Sequence, residues 1–310
     1  MKITFKQGSV CWLLPCLPVN FAINLVKRLY FLMMEALKAQ FEQIKAEQLQ
    51  LDMTRGKPSP AQLDLSKRMI ALLKEEEYKA GDGTDCRNYG GLDGLPELKQ
   101  LFAELLEVSA GQIIIGGNSS LQLMHDTIIN AMLHGVPGSE KPWGQQKVKF
   151  LCPVPGYDRH FGVCEHLGIE MVPVPMNAHG PDMDKVEELA AADPAIKSIW
   201  CVPKYSNPGG ITYSDKGGGR LASMQAAADF RIMWDNAYAE HHLYETGDPL
   251  ANVIELCAAA GNPERVFMYV STSKITFAGG GVGLMVSGPE NIGWMKKHLF
   301  YQTIGPDKLN

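Results

Sequence analysis

From residue 112 onward, short apolar or β-branched runs recur at intervals long enough for a helix, and this rhythm limits the fold more than any other feature. The runs are Gln112–Gly116, Val148–Cys152, Ile169–Pro173, Ser198–Val202, Arg231–Asp235, Val266–Ser271 and Gly283–Ser287. Helical patterns such as Leu121–Leu133 and Met183–Ala191 fill several of the gaps. A strand reaches a parallel partner only through a crossover, and crossover helices coat the sheet on both faces. The sequence therefore predicts an α/β domain with a mainly parallel sheet sandwiched by helices. Ligands of such sheets bind beyond the carboxyl ends of the strands. Polar residues collect there: Gly-Gly-Asn-Ser-Ser at 116–120, Pro-Val-Pro-Gly-Tyr at 153–157, Pro-Lys-Tyr-Ser-Asn-Pro-Gly-Gly at 203–210, Trp-Asp-Asn-Ala-Tyr at 234–238 and Ser-Thr-Ser-Lys at 271–274.

With 310 residues, 45% of them hydrophobic and 20% charged, the chain has material for about two domains and a sizeable core. Lysine plus arginine number 29 and aspartate plus glutamate 34, a net charge of −5 that offers no broad field for nucleic acid or an anionic membrane. Seven cysteines are scattered without a C-x-x-C pair and read as reduced thiols, the state expected of a cytoplasmic protein. Residues 1–33 differ from the rest. Their apolar stretch, Val10 to Val26, is broken by Pro15, Pro18, Asn20 and Asn24, and it matches neither a membrane span nor a secretory leader. From Met34 an amphipathic helix follows, with Met34, Leu37, Phe41, Ile44 and Leu49 near helical spacing. The expectation is a non-native or poorly ordered extension over 1–33.

Lys274 follows an apolar strand and precedes the glycines Gly279, Gly280 and Gly281. A lone loop lysine is ordinarily a solvated cation, but this one has company: Asp235 ending another strand, Asn207 before Pro208-Gly209, and the aromatic Tyr157. The turn from Gly116 to Ser120 offers backbone N–H groups and hydroxyls at a helix start, a ready phosphate seat. Pyridoxal phosphate needs all of these: a lysine for its aldehyde, an acid for its ring nitrogen, a stacking ring and an anion site. A carboxylate ~3–4 Å from the ring nitrogen favours the protonated ring by up to about 4 kcal/mol, around three pK units before desolvation. Asn207 and Tyr238 could bond the cofactor's phenolate oxygen, and Lys274, once displaced by substrate, could carry the Cα proton.

In order and spacing these residues resemble the fold-type I pyridoxal phosphate enzymes, and among them the aspartate aminotransferase-like class. The resemblance runs from about Leu51 to the end and rests on Ser206-Asn207-Pro208-Gly209, Asp235-Asn236-Ala237-Tyr238 and Ser271-Thr272-Ser273-Lys274. It implies that Lys274 is the Schiff-base lysine, Asp235 the partner of the ring nitrogen, Asn207 and Tyr238 the O3′ partners and Tyr157 the stacking ring. Asn118, Ser119 and Ser120 would hold the phosphate with help from Ser271. Tyr89, in Asn88-Tyr89-Gly90-Gly91, would reach the phosphate of a neighbouring subunit, which implies a homodimer. Gly56, in Arg55-Gly56-Lys57-Pro58, would line the substrate pocket. The implied activity is transfer of an amino group between an aspartate-like amino acid and a 2-oxo acid.

Each piece alone has a plainer reading: Asn-Pro-Gly is a turn, Asp235 could cap a helix, and Tyr157 could be core. The glycines at 279–283 do not spell a dinucleotide fingerprint. The adjacent His241 and His242 cannot face one metal as an i, i+4 pair would, and read as loop residues. Two departures from the family pattern stand out. Val282 occupies the place, eight after the lysine, where many members put an arginine on the phosphate, and no arginine follows Arg265. The expected division is an extension at 1–33, an N-terminal segment at 34–78 and a cofactor-binding large domain at 79–310, with the small C-terminal domain largely missing by truncation. A lyase or synthase of the same fold, a regulatory binding protein and a catalytically impaired fragment remain open on sequence grounds. The regulatory reading lacks a basic helix-turn-helix ahead of the fold.

Overall fold

The computed structural model describes residues 19–50, 56–72 and 78–310, with side chains from residue 27. The first eighteen residues of the expected extension, and Arg55, lie outside the described residues. The chain divides into two compact units, 1–56 and 57–310. The first contains one long helix, α1 (Val19–Ala46), which begins well before the helical start expected at Met34. No described helix is long and apolar enough to cross a membrane.

The second unit holds the sheet. Its strands are β1 (Ile113–Ile115), β2 (Lys149–Val154), β3 (Glu170–Asn177), β4 (Gly180–Pro181), β5 (Ile196–Cys201), β6 (Arg231–Asp235), β7 (Val266–Ser271) and β8 (Gly283–Ser287), in spatial order β1-β8-β7-β6-β5-β2-β3-β4. The five central strands, β3, β2, β5, β6 and β7, pair in parallel. β8 runs antiparallel to β7 and β1, because residues 272–282 make a turn too short for a crossover.

The strands alternate between two apolar layers, as the two-residue period requires. Ile232 and Trp234 of β6 face a core built with α6 (Met183–Ala192), α7 (Asp215–Ser223) and α8 (Val253–Ala259). Met233 faces the opposite core, formed with α4 (Ser120–His134), α5 (Asp158–His166) and α9 (Pro289–Gln302). The remaining α-helices among the described residues are α2 (Pro60–Leu65) and α3 (Pro96–Leu106). Three successive glycines in α7, costly in helix propensity, have a partial explanation. A Cβ on Gly218 would stand 3.2 Å from Leu256 Cδ1 of α8, so the small residue permits close helix packing. Cys152, Cys164, Cys201 and Cys257 are free and buried, as expected of small apolar residues in these layers.

Candidate active site

Four strand ends, those of β2, β5, β6 and β7, deliver the central residues. β6 ends in Asp235, which by alternation shares the side of Met233 and points toward α5. There His160, in the first turn of α5, is buried and places Nε2 3.0 Å from Asp235 Oδ2. The imidazole lies flat on the Trp200 indole of β5, ring centroids 4.2 Å apart and planes within 6°. The Trp200 Nε1–H in turn donates to Cys164 Sγ at 3.2 Å. Tyr157, the residue before α5, sets its ring edge-on to His160 at 5.1 Å. Asp235 is thus held by one oxygen only. Its Oδ1 is buried without any hydrogen-bond partner among the described residues, an arrangement that costs free energy unless a donor arrives.

Lys274 sits on the turn that follows β7, its Nζ 4.4 Å from the centre of the Tyr238 ring. Burial lowers its ammonium pKa from the ordinary lysine value, and the negative charge of Asp235 partly restores it. Tyr238 follows Asp235 by three residues; burial raises its hydroxyl pKa, while a hydrogen bond from the Asn207 amide opposes the rise. A small void of about 20 Å³ lies among Tyr157, His160, Trp200, Ser206 and Asn207. Asp235, Tyr238, Lys274, Asn207 and Tyr157 are therefore brought to one place from four separate segments.

The second cluster is the turn between β1 and α4. Ser119 caps α4, its Oγ accepting from Gln122 N–H at 3.3 Å, and no acidic residue stands in the first turn. The turn is sewn to the start of β8: Gly116 N–H donates to Gly283 O at 2.8 Å and Gly283 N–H to Gly117 O at 2.6 Å. A Cβ on Gly283 would lie 3.0 Å from Ser119 C and Ser120 N, so only glycine lets β8 approach this closely. Asn118 Nδ2 donates to Gly279 O at 3.3 Å. Ser271, at the end of β7, has its Oγ 2.9 Å from Ser273 Oγ, one residue before Lys274. A cavity of about 760 Å³ opens on Gly116, Gly117 and Asn118 and has Val282 in its wall; Asp235 and Lys274 are not in its lining.

Two expected residues are not part of these clusters. Tyr89 stands on the surface, 82% exposed, beside the segment 304–309. Gly56 closes the first unit, and a Cβ placed on it would meet nothing within 4 Å. His160 is a site residue that the sequence does not announce. Its only signal is its position one helical turn beyond Tyr157, after a strand end, where it shares a helix face with that ring.

Comparison with known proteins agrees with this architecture. An aspartate transaminase of known structure from Corynebacterium glutamicum is 46% identical, with a TM-score of 0.84 over 89% of this chain and 66% of that one. The α-aminoadipate aminotransferase of Thermus thermophilus, solved with N-(5′-phosphopyridoxyl)-L-leucine, shares the fold at 21% identity and a TM-score of 0.63, covering 82% of this chain and 60% of that one. The sheet and its surrounding helices are those of the fold-type I aminotransferases. The aspartate amino-transferase family model matches residues 31–310, and the chain belongs to that family. Among curated relatives, the aspartate aminotransferase of C. glutamicum is 47% identical over 278 residues, 89% of this chain and 64% of that protein. A Mycolicibacterium smegmatis relative is 52% identical over 280 residues, again 89% of this chain and 65% of that protein. The chain spans about 65% of the length of these curated relatives.

Proposed function

We propose that the protein is a pyridoxal phosphate-dependent aminotransferase that moves an amino group between an aspartate-like amino acid and a 2-oxo acid, as a cytoplasmic homodimer. The observation that carries the reading is the buried Oδ1 of Asp235, without a partner among the described residues, close to a lysine whose pKa burial lowers. An unsatisfied carboxylate oxygen fits the N–H of a protonated pyridine, and the acid-free start of α4 fits a phosphate. The relatives' names favour transamination over lyase or synthase chemistry.

When bound, the cofactor supplies an electron sink for a carbanion at the substrate Cα. Asp235 would keep the ring nitrogen protonated with its open oxygen, while His160 occupies Oδ2 and fixes the carboxylate plane. Tyr157 and the flat His160–Trp200 stack exclude water from that carboxylate. Asn207 and Tyr238 would donate to the phenolate oxygen. Lys274, whose burial favours the free amine, would hold the cofactor's aldehyde and, once displaced by substrate, would be placed to accept a proton from the substrate Cα. Asn118, Ser119, Ser120 and Ser271 would hold the phosphate, and in a homodimer Tyr89 would reach it from the second subunit. By the family resemblance Gly56, in the segment 34–78 that precedes the large domain at 79–310, would be a substrate-pocket residue.

An absorbance titration with pyridoxal phosphate, borohydride fixation and peptide mapping tests this. The expected outcome is a pyridoxyl group fixed on Lys274 and, in an unreduced sample, conversion to the pyridoxamine form by aspartate. Fixation elsewhere, or none, would overturn the reading of the site.

A further inference from the structure

Lys274 is held by its backbone as well as surrounded by its side-chain neighbours. Its carbonyl oxygen lies 2.9 Å from His241 Nε2, and no other donor reaches that oxygen among the described residues. A carbonyl cannot donate, so Nε2 carries the proton and neutral His241 keeps its lone pair on Nδ1. That Nδ1 is buried and has no partner among the described residues. His241 is itself placed by the turn that carries the other site residues. His241 N–H donates to Tyr238 O at 3.1 Å, Ala239 N–H to Asn236 O at 3.2 Å, and Asn236 N–H to Tyr269 O at 2.8 Å. Lys204 Nζ donates to Ala239 O at 2.8 Å and steadies the same turn from the β5 side. The His241 ring meets the Tyr238 ring edge-on at 5.8 Å, and Lys274 Nζ stands over the other ring of that pair.

We propose that His241 is a positioning residue for Lys274: its Nε2–H ties the lysine's turn to the turn bearing Asp235 and Tyr238, and its charge state governs how readily the Lys274 amine is freed. The inference rests on the reading of Lys274 as the cofactor lysine. A single hydrogen bond across two loops fixes the amine relative to Asp235, where sequence alone leaves the two turns independent. The electrostatics act in the same place. Burial, followed by the nearby positive charge of Lys274 and by His242, lowers the His241 pKa, against the opposing bond to the Lys274 carbonyl and the charge of Glu240. The groups facing His241 are thus Tyr238, Glu240 and His242 on its own segment and Lys274 on the β7 turn; Asp235 acts on Lys274 from β6. Coupling is reciprocal. If Lys274 makes His241 harder to protonate, a protonated His241 makes Lys274 easier to deprotonate.

The test is the rate at which pyridoxal phosphate is captured on Lys274, read by borohydride fixation and peptide mapping across pH, in the full chain and in His241→Gln and His241→Ala. Glutamine keeps a donor at the place of Nε2 but cannot titrate. At pH 8 the glutamine variant should capture at the wild-type rate, and the alanine variant about tenfold more slowly, the scale of one lost hydrogen bond. Because burial holds the His241 pKa below the ordinary imidazole value of about 6.5, it is only at pH well under that value, where His241 becomes protonated, that the wild-type rate should exceed that of His241→Gln by about threefold or more, since only the wild type gains a cation beside the amine. The cofactor's own titration is common to both and cancels in the ratio. A ratio that stays flat across pH, or an alanine variant that captures as fast as the wild type, would overturn the proposal. Failure of the underlying reading looks different: the wild type would not be labelled on Lys274 at all. Circular dichroism of both variants identifies a folding defect, and the glutamine variant then decides through its pH ratio alone.

Discussion

β6 has a buried carboxylate at each end, and the two are satisfied differently. Asp229, just ahead of the strand, is closed: Lys197 Nζ lies 2.7 Å from Oδ1, and Trp143 Nε1 and Ser139 Oγ each donate to Oδ2 at 3.1 Å. Nearby Arg231 is also buried, its guanidinium donating to Phe230 O at 3.0 Å and to Pro137 O, and burial pulls its pKa down to about 10. Asp235, at the other end, has one partner and one empty oxygen among the described residues. Protein interiors normally leave few buried polar atoms without partners. The difference lies in the carboxylates: Asp229 has both oxygens satisfied by the chain itself, although Arg231 Nε beside it lacks a partner among the described residues, whereas Asp235 keeps one oxygen open, which under the proposed function is where the cofactor would bind.

The contrast can be broken most severely at its functional end. Replacing Lys274 by alanine should abolish covalent capture of pyridoxal phosphate, checked by mass spectrometry after borohydride, while the fold measured by circular dichroism stays. Asp235→Asn should slow deuterium exchange at the aspartate Cα by on the order of 10²- to 10³-fold, the kinetic equivalent of two to three pK units at the ring nitrogen. The same variant should change the stability of the cofactor-free protein by no more than about 1 kcal/mol, because Oδ1 contributes no bond there. At the Asp229 end the expectation reverses. Asp229→Ala strands the Lys197 ammonium in the interior and should cost about 3–5 kcal/mol in denaturant unfolding, with Lys274 still captured in the protein that remains folded. The smallest effect concerns pH. Capture on Lys274 should be half-maximal below the ordinary lysine value of about 10.4, and Asp235→Asn should move that midpoint further down, since the Asp235 charge is what holds the lysine pKa up.

Much of the functional end is legible in the sequence. β6, β7 and β8 run over the residues expected from their apolar runs, because their ends are punctuated by polar turn residues. Asp235, Asn207, Tyr238, Tyr157 and Lys274 can be picked out by type and spacing, since a charged or amide residue ending an apolar strand contradicts the pattern around it. His160 cannot. Histidine in a helix after a strand is unremarkable, and its pairing with a carboxylate 75 positions away exists only after folding. Trp200 behaves likewise: it reads as one more apolar strand residue, and only alternation puts its indole under His160. His241 reads as a loop residue because a neighbouring histidine rules out one metal geometry, yet the bond it makes is to a backbone oxygen, which no side-chain pattern announces. The antiparallel return of β8 is hidden for a similar reason. A run of apolar residues carries no direction, and only the short link over 272–282 decides it.

The central claim is that Asp235 Oδ1 is kept free for the proton of a pyridinium ring, and ring nitrogen labelling tests it directly. The protein would be loaded with ¹⁵N-pyridoxal phosphate and the ring nitrogen followed by NMR from pH 6 to pH 8. The account predicts a protonated ring nitrogen throughout in the wild type and in Asp229→Asn, and an unprotonated one at pH 8 in Asp235→Asn. An unprotonated ring in the wild type, or one whose protonation ignores the loss of Asp235, would contradict it.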